Sequence, residues 1–183
     1  MLNRFRHLAA ALLLALLAPL AHATAFSDTF ENKLVDFLLR GQTLVIGAQT
    51  ATWGTAPELY LALGTACSDS AFTELGATGS YARVRVPGSG APSLSNAWSN
   101  TNSSSGTTSS TGTGGTSYNL NTVTFPTATA DWNSAATIGY WAIYDASSSG
   151  NMLVCAALTT ARAVTNGATA SFAAGALSVQ VDN

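Results

Sequence analysis

The segment Ile138–Tyr144, IGYWAIY, constrains the fold more than any other stretch of the chain. In a strand, successive side chains point to opposite sides. Ile138, Tyr140, Ala142 and Tyr144 then share one face, and Gly139, Trp141 and Ile143 share the other. Both faces are largely apolar. A strand with one wet face alternates apolar with polar residues instead. This one therefore belongs at the centre of a sheet, covered on one side by an opposing sheet and on the other by a helix or a neighbouring subunit. Tyr140 and Trp141 are both expected to be mostly buried.

The surrounding sequence supplies more strands of the same kind. Leu59–Leu63 is an apolar run after Pro57. Tyr81–Val86 alternates, with Tyr81, Arg83 and Arg85 on one side, and ends at Pro87-Gly88. Val123–Phe125 stops at Pro126, Met152–Leu158 returns after the turn Ser147–Asn151, and Leu177, Val179 and Val181 alternate near the C-terminus. Asn166-Gly167 between Arg162–Val164 and Ala168–Phe172 predicts a hairpin, because that pair tolerates the positive φ of a type I′ turn. Short strands with frequent turns indicate a mainly β, antiparallel, jelly-roll-like β-sandwich.

One helix precedes the strands. Phe26, Phe30, Leu34, Phe37, Leu38 and Gly41 follow the spacing of a single helix face. Asp28 and Glu31 sit at its positive end, Arg40 lies in its last turn, and Gly41 can take the left-handed closing position. The pattern predicts an amphipathic helix over residues 27–40, packed by its apolar face on the sheet or on a neighbour. By contrast Ser99–Ser117, SNTNSSSGTTSSTGTGGTS, carries no charge and no aliphatic side chain. It cannot offset its ordering entropy by burial, so it reads as a flexible loop.

Residues 1–25 have another character. Arg4 and Arg6 precede the apolar run Leu8–Ala21, and small residues follow at Ala21, Ala23 and Ala25. That is a secretory signal pattern, with a run too short to span a bilayer comfortably. The expected domain is 26–183, with no membrane span once the signal is removed. It would hold neither histidine, since His7 and His22 lie in the signal-like segment. Lys33, Arg40, Arg83, Arg85 and Arg162 face nine carboxylates there, leaving a net charge of −4. Nothing clusters the cations as duplex binding requires, so no nucleic-acid partner is expected.

The same composition limits chemistry. Without histidine, a Ser–His or Cys–His nucleophile has no base beside it. Glu58, Asp69, Glu74, Asp131 and Asp145 could in principle form a carboxylate pair for glycoside hydrolysis, but they read as turn acids. No clustered motif for a metal or cofactor is visible, and no catalytic residue is assigned. Cys67 and Cys155 are either a disulfide of an exported chain or two apolar thiols on neighbouring strands. Of the four tryptophans, Trp98 borders the Ser/Thr/Gly loop and could offer a ring to a ligand, while Trp141 suits packing or an interface.

FSDTFENKLVDFLLRG, LYLALGTA, GSYARVRV, TFPTATADW and the stretch from IGYWAIYD to LSVQVD occur in this order from Phe26 to Val181. In that order they resemble a family of small tailed-bacteriophage virion proteins, labelled tail fibre or structural proteins. The resemblance implies a virion location, a tail or head position, no enzyme, and partners that are other virion proteins or further copies of the chain. The signal-like segment, the two cysteines and the long loop depart from the family pattern. The expectation is a non-enzymatic phage structural subunit that assembles through apolar sheet and helix surfaces. The alternative is a secreted or cell-surface adhesin that binds carbohydrate.

Overall fold

The computed structural model describes residues 26–52, 56–88, 91–93, 96–102 and 108–181. The signal-like segment and Trp53 lie outside them. Helix α1 (Asp28–Arg40) is followed by β1 (Leu44–Ile46), β2 (Gln49–Ala51), β3 (Leu59–Cys67), β4 (Phe72–Glu74) and β5 (Val84–Val86). Then come β6 (Thr116–Tyr118), β7 (Val123–Thr124), a short 3-10 turn at Trp132–Ala135, β8 (Ile138–Tyr144), β9 (Met152–Arg162), β10 (Ser171–Phe172) and β11 (Ser178–Gln180).

The two-faced strand is where its sequence placed it. β8 pairs antiparallel with β3 on one side, Leu61 opposite Ile143 and Leu63 opposite Trp141. It pairs with β9 on the other, Trp141 opposite Ala156 and Ile143 opposite Val154. β5 and β4 pair in turn along the far edge of β3, completing a five-stranded antiparallel sheet. Among the described residues the facing layer is not a second continuous sheet. It consists of the two-stranded pieces β7–β10 and β6–β11 and the bridge between Trp98 and Asn119. The arrangement is mainly β and sandwich-like, with the core between the layers.

That core takes Trp141 and Ile143 from β8, Leu59, Leu61 and Leu63 from β3, and Trp98, Val123, Phe125, Trp132, Leu177 and Val179 from the facing layer. Tyr81, Phe125 and Trp132 form an aromatic group, with Tyr81 stacked on Phe125 at 6.1 Å and edge-on to Trp132 at 5.3 Å. The Trp132 indole N–H donates to the Gly79 carbonyl at 2.8 Å, which satisfies its one polar atom.

Within the subunit, the other face of β8 is not covered by the helix. Ala62, Ala142 and Tyr144 form a second cluster there with Phe72, Met152 and Cys155. Tyr140, expected to be mostly buried, is only half-buried, because this cluster is small. Gly64 makes room for it. A β-carbon at Gly64 would lie 2.4 Å from the Thr73 carbonyl oxygen and 2.5 Å from the Phe72 ring. Gly→Ala at an unstrained site gains about 0.4–1 kcal/mol from the unfolded chain. Here overpacking costs about 1–3 kcal/mol and dominates. Gly64→Ala is therefore expected to lower stability in denaturant titration; an unchanged midpoint would count against the close β3–β4 packing.

Three expectations differ from the structure. The Asn166-Gly167 turn exists, with Gly167 at φ 83°, but its arms do not pair with each other. The segment after it crosses to β7, where Phe125 N–H donates to Ala170 and Ala128 N–H to Ala168. The 99–117 segment is not all loop, since Thr116–Tyr118 is strand β6 and Ser99, Asn100, Ser110 and Ser117 are buried. Residues 103–107 of it lie outside the described set. The third difference concerns the helix.

Candidate assembly surface

Helix α1 forms for the reasons its sequence states. Ser27 precedes it in extended conformation, Asp28 and Glu31 occupy its first turn, and Arg40 its last. Gly41 closes it at φ 68°; the amides of Gly41 and Gln42 donate to Phe37 and Asp36.

The side it buries is not the expected one. Glu31, Asn32, Val35, Asp36, Leu39 and Arg40 face inward. The predicted apolar stripe faces outward: Phe26 is 60% exposed and Leu38 40%, while Phe30, Leu34 and Phe37 are half-buried. The helix does not lie on the five-stranded sheet. Its inward face meets β6 and the Ser/Thr/Gly segment, and only Val35 and Leu39 join the core.

Hydrogen bonding explains the inversion. The returning leg of the Ser/Thr/Gly segment has no apolar side chain to bury, but its backbone groups need partners. The helix supplies them. Asp36 accepts from the Ser110 amide at 2.7 Å and its hydroxyl at 2.6 Å. Asp36 also pairs with Arg40 one turn later, and Arg40 donates to the Thr108 carbonyl at 3.0 Å. The Asn32 side-chain amide donates to the Gly112 carbonyl at 2.9 Å. These polar residues were not singled out from the sequence. The available signal was a second periodic set, Glu31, Val35 and Leu39 with Asn32, Asp36 and Arg40, on the opposite side of the same helix.

Beside the helix stands the β1–β2 hairpin, turned at Gly47 (φ 59°), with Val45 43% and Ile46 52% exposed. The Lys33 ammonium donates to the Val45 carbonyl at 3.1 Å and ties the two together. Of the five large apolar side chains exposed among the described residues, Phe26 just before the helix, Leu38 on it, and Val45 and Ile46 on the hairpin fall in this region; the fifth is Leu153 of β9.

The other candidates are placed as follows. Cys67 and Cys155 form a disulfide between β3 and β9, across β8. Their separation of 88 residues means that cross-linking restricts the unfolded chain by roughly 4 kcal/mol. Trp98 is 1% exposed and Trp141 6%, so Trp98 presents no ring to a ligand and Trp141 is a core residue. The five carboxylates are dispersed and mostly engaged. Glu74 receives Arg83 in a two-pronged pair at 2.9 and 2.7 Å, and Tyr81 at 3.0 Å. That guanidinium also covers the Tyr144 ring. Glu58 accepts from Tyr60 and Arg85, which hold it below the usual carboxylate range. Asp145 accepts twice from Asn151 and is lowered likewise. Asp131 accepts from the Asn166 amide, and Asp69 is an exposed turn residue. Burial pushes the Tyr81 phenol well up, so it stays protonated as a structural donor.

Among the described residues no cluster of three or more His, Cys, Asp or Glu could hold a metal ion, and no helix is long and apolar enough to cross a membrane. In comparison with known families, the model of Gp80, described as podophage GP4 fiber I protein gp80, matches residues 25–180. No curated protein matches the chain.

Proposed function

Because this chain belongs to the family of podophage GP4 fiber I proteins, we propose that it is a non-catalytic structural subunit of a phage fibre, assembled through the outward face of α1. The observation that carries this reading is the inverted helix. A helix whose inward side is held within its own subunit through Asn32, Asp36 and Arg40, and which leaves Phe26 and Leu38 exposed beside the half-buried Phe30, Leu34 and Phe37, offers its apolar side for association. The exposed hairpin residues Val45 and Ile46 extend the same region.

The absence of catalysis is supported by the state of the acids. Glu58, Glu74, Asp131 and Asp145 are each engaged by a neighbouring donor, as structural acids are. The adhesin alternative calls on an exposed Trp and the loop at Ser99–Ser117, and the ring of Trp98, which borders that loop, is enclosed. Residues 1–25 are proposed as a cleaved signal on their sequence pattern alone.

Peptide mass spectrometry on purified particles and on the particle-free fraction of the same culture tests both points. The chain is expected in the particles, with a terminal peptide that begins after Ala23 or Ala25. Recovery in the particle-free fraction alone would overturn the fibre reading. Intact residues 1–25 in the particles would overturn the signal.

A further inference from the structure

Toward its C-terminal end β9 bulges away from its partner. Tyr140 opposes Ala157 and Ile138 opposes Arg162, so Leu158, Thr159, Thr160 and Ala161 all lie against Gly139. A bulge interrupts the ladder and re-aims side chains. This one borders a gap between the five-stranded sheet and the facing layer. Two hollows of about 360 and 410 Å³ open there, and Leu158, Thr160, Arg162 and Phe172 line both. Each is more than twice the roughly 150 Å³ that holds a benzene in an apolar core.

The walls reach the core. Leu63 and Ile138, each 2% exposed, line the first hollow, and Trp141 lines the second. Arg162 is the one charged residue on either lining. The other arginines of the domain, Arg40, Arg83 and Arg85, are each paired with a carboxylate. Arg162 is exposed, and among the described residues its guanidinium has neither an ion pair nor a hydrogen bond.

We propose that the two hollows form one binding site for a single-chain fatty carboxylate, with the hydrocarbon chain between β9 and the facing layer and the head on Arg162. The chemistry of the site selects that class. A guanidinium matches a planar carboxylate through two parallel hydrogen bonds, and one cation matches one negative charge. Apolar walls suit a chain without polar groups. A peptide strand fits less well, because its backbone amides and carbonyls need partners. The bulged stretch of β9 offers them no regular ladder. An alkyl chain asks for none.

No residue of this site belongs to α1 or to the β1–β2 hairpin. It therefore stands apart from the assembly surface, and the two readings fail separately. A ligand in the hollows closes the open side of the core. It binds the folded chain and not the unfolded one, so it raises stability by mass action.

Calorimetric titration of the full chain with decanoate is expected to show saturable one-to-one binding, and the thermal midpoint should rise with decanoate concentration. Decanol has the same chain without the charge and is expected to bind about tenfold more weakly or worse. Acetate, which has the charge without the chain, should not bind measurably. Arg162→Gln should lower decanoate affinity about tenfold or more and leave decanol binding unchanged. Thr160→Glu gives Arg162 a carboxylate within the same lining and should weaken decanoate in the same way. Both positions are exposed, and an unchanged thermal midpoint without ligand shows that each variant folds. Absence of saturable binding, equal affinity for decanoate and decanol, or decanoate affinity unchanged in Arg162→Gln overturns the proposal.

Discussion

Asp36→Ala is expected to lower the unfolding free energy by about 3–5 kcal/mol, the usual cost of leaving one member of a buried ion pair without its partner. The Arg40 side chain is fully enclosed and that of Asp36 only 8% exposed. Without the carboxylate, the enclosed guanidinium loses the ion pair with Asp36 and keeps its hydrogen bond to the Thr108 carbonyl. The same change removes the acceptor of both Ser110 hydrogen bonds. Amide exchange should therefore rise in residues 108–112 before it rises in β3 and β8. Denaturant titration and hydrogen exchange measure the two effects. A loss below about 1 kcal/mol, as for a surface pair, would mean that the helix is not held by its polar side.

The paired substitution Phe26→Asp and Leu38→Asp is expected to have the opposite signature. Phe26 is 60% exposed and Leu38 40%, so the thermal midpoint of the isolated chain should change little. Association through α1 should weaken by about a hundredfold or more, since fully burying one such side chain is worth about 1.5–3 kcal/mol and each tenfold about 1.4 kcal/mol. Sedimentation and particle incorporation both report it. A fall in stability without loss of assembly would show that the stripe serves its own subunit.

The two substitutions lie on one helix and test its two sides. Periodicity showed that α1 would form and where it would end, because N-terminal acids, a terminal arginine and Gly41 act within a turn or two. It did not show which side would face inward. Val35 and Leu39 form a narrower apolar stripe than Phe26, Phe30, Leu34, Phe37 and Leu38, and ranking stripes by apolar content chose the wrong one. The decision came from residues 108–112, far along the chain, whose backbone needed acceptors and donors more than apolar cover.

The β-region divides in the same way. Ile138–Tyr144 is a strand between two strands, as its two apolar faces required. Asn166-Gly167 made its turn, yet its arms separated, because turn chemistry is local whereas the partner of a strand is set by what else needs pairing. The Ser/Thr/Gly segment looked unable to order itself by burial. Its described ends are ordered by hydrogen bonds to a helix more than sixty residues away in sequence, and no local composition records that.

The class of fold, the central strand, and the helix with its closing Gly41 were legible in the amino-acid order alone. These follow from alternation, capping and side-chain chemistry, which act over a few residues. Packing set the rest: α1 turns Glu31, Asp36 and Arg40 inward, a disulfide and a small cluster lie on the second face of β8, Trp98 is enclosed, and the outer side of β9 stays unpaired among the described residues. Each depends on which distant segment competes for the same surface, and that competition is resolved only when the chain is packed.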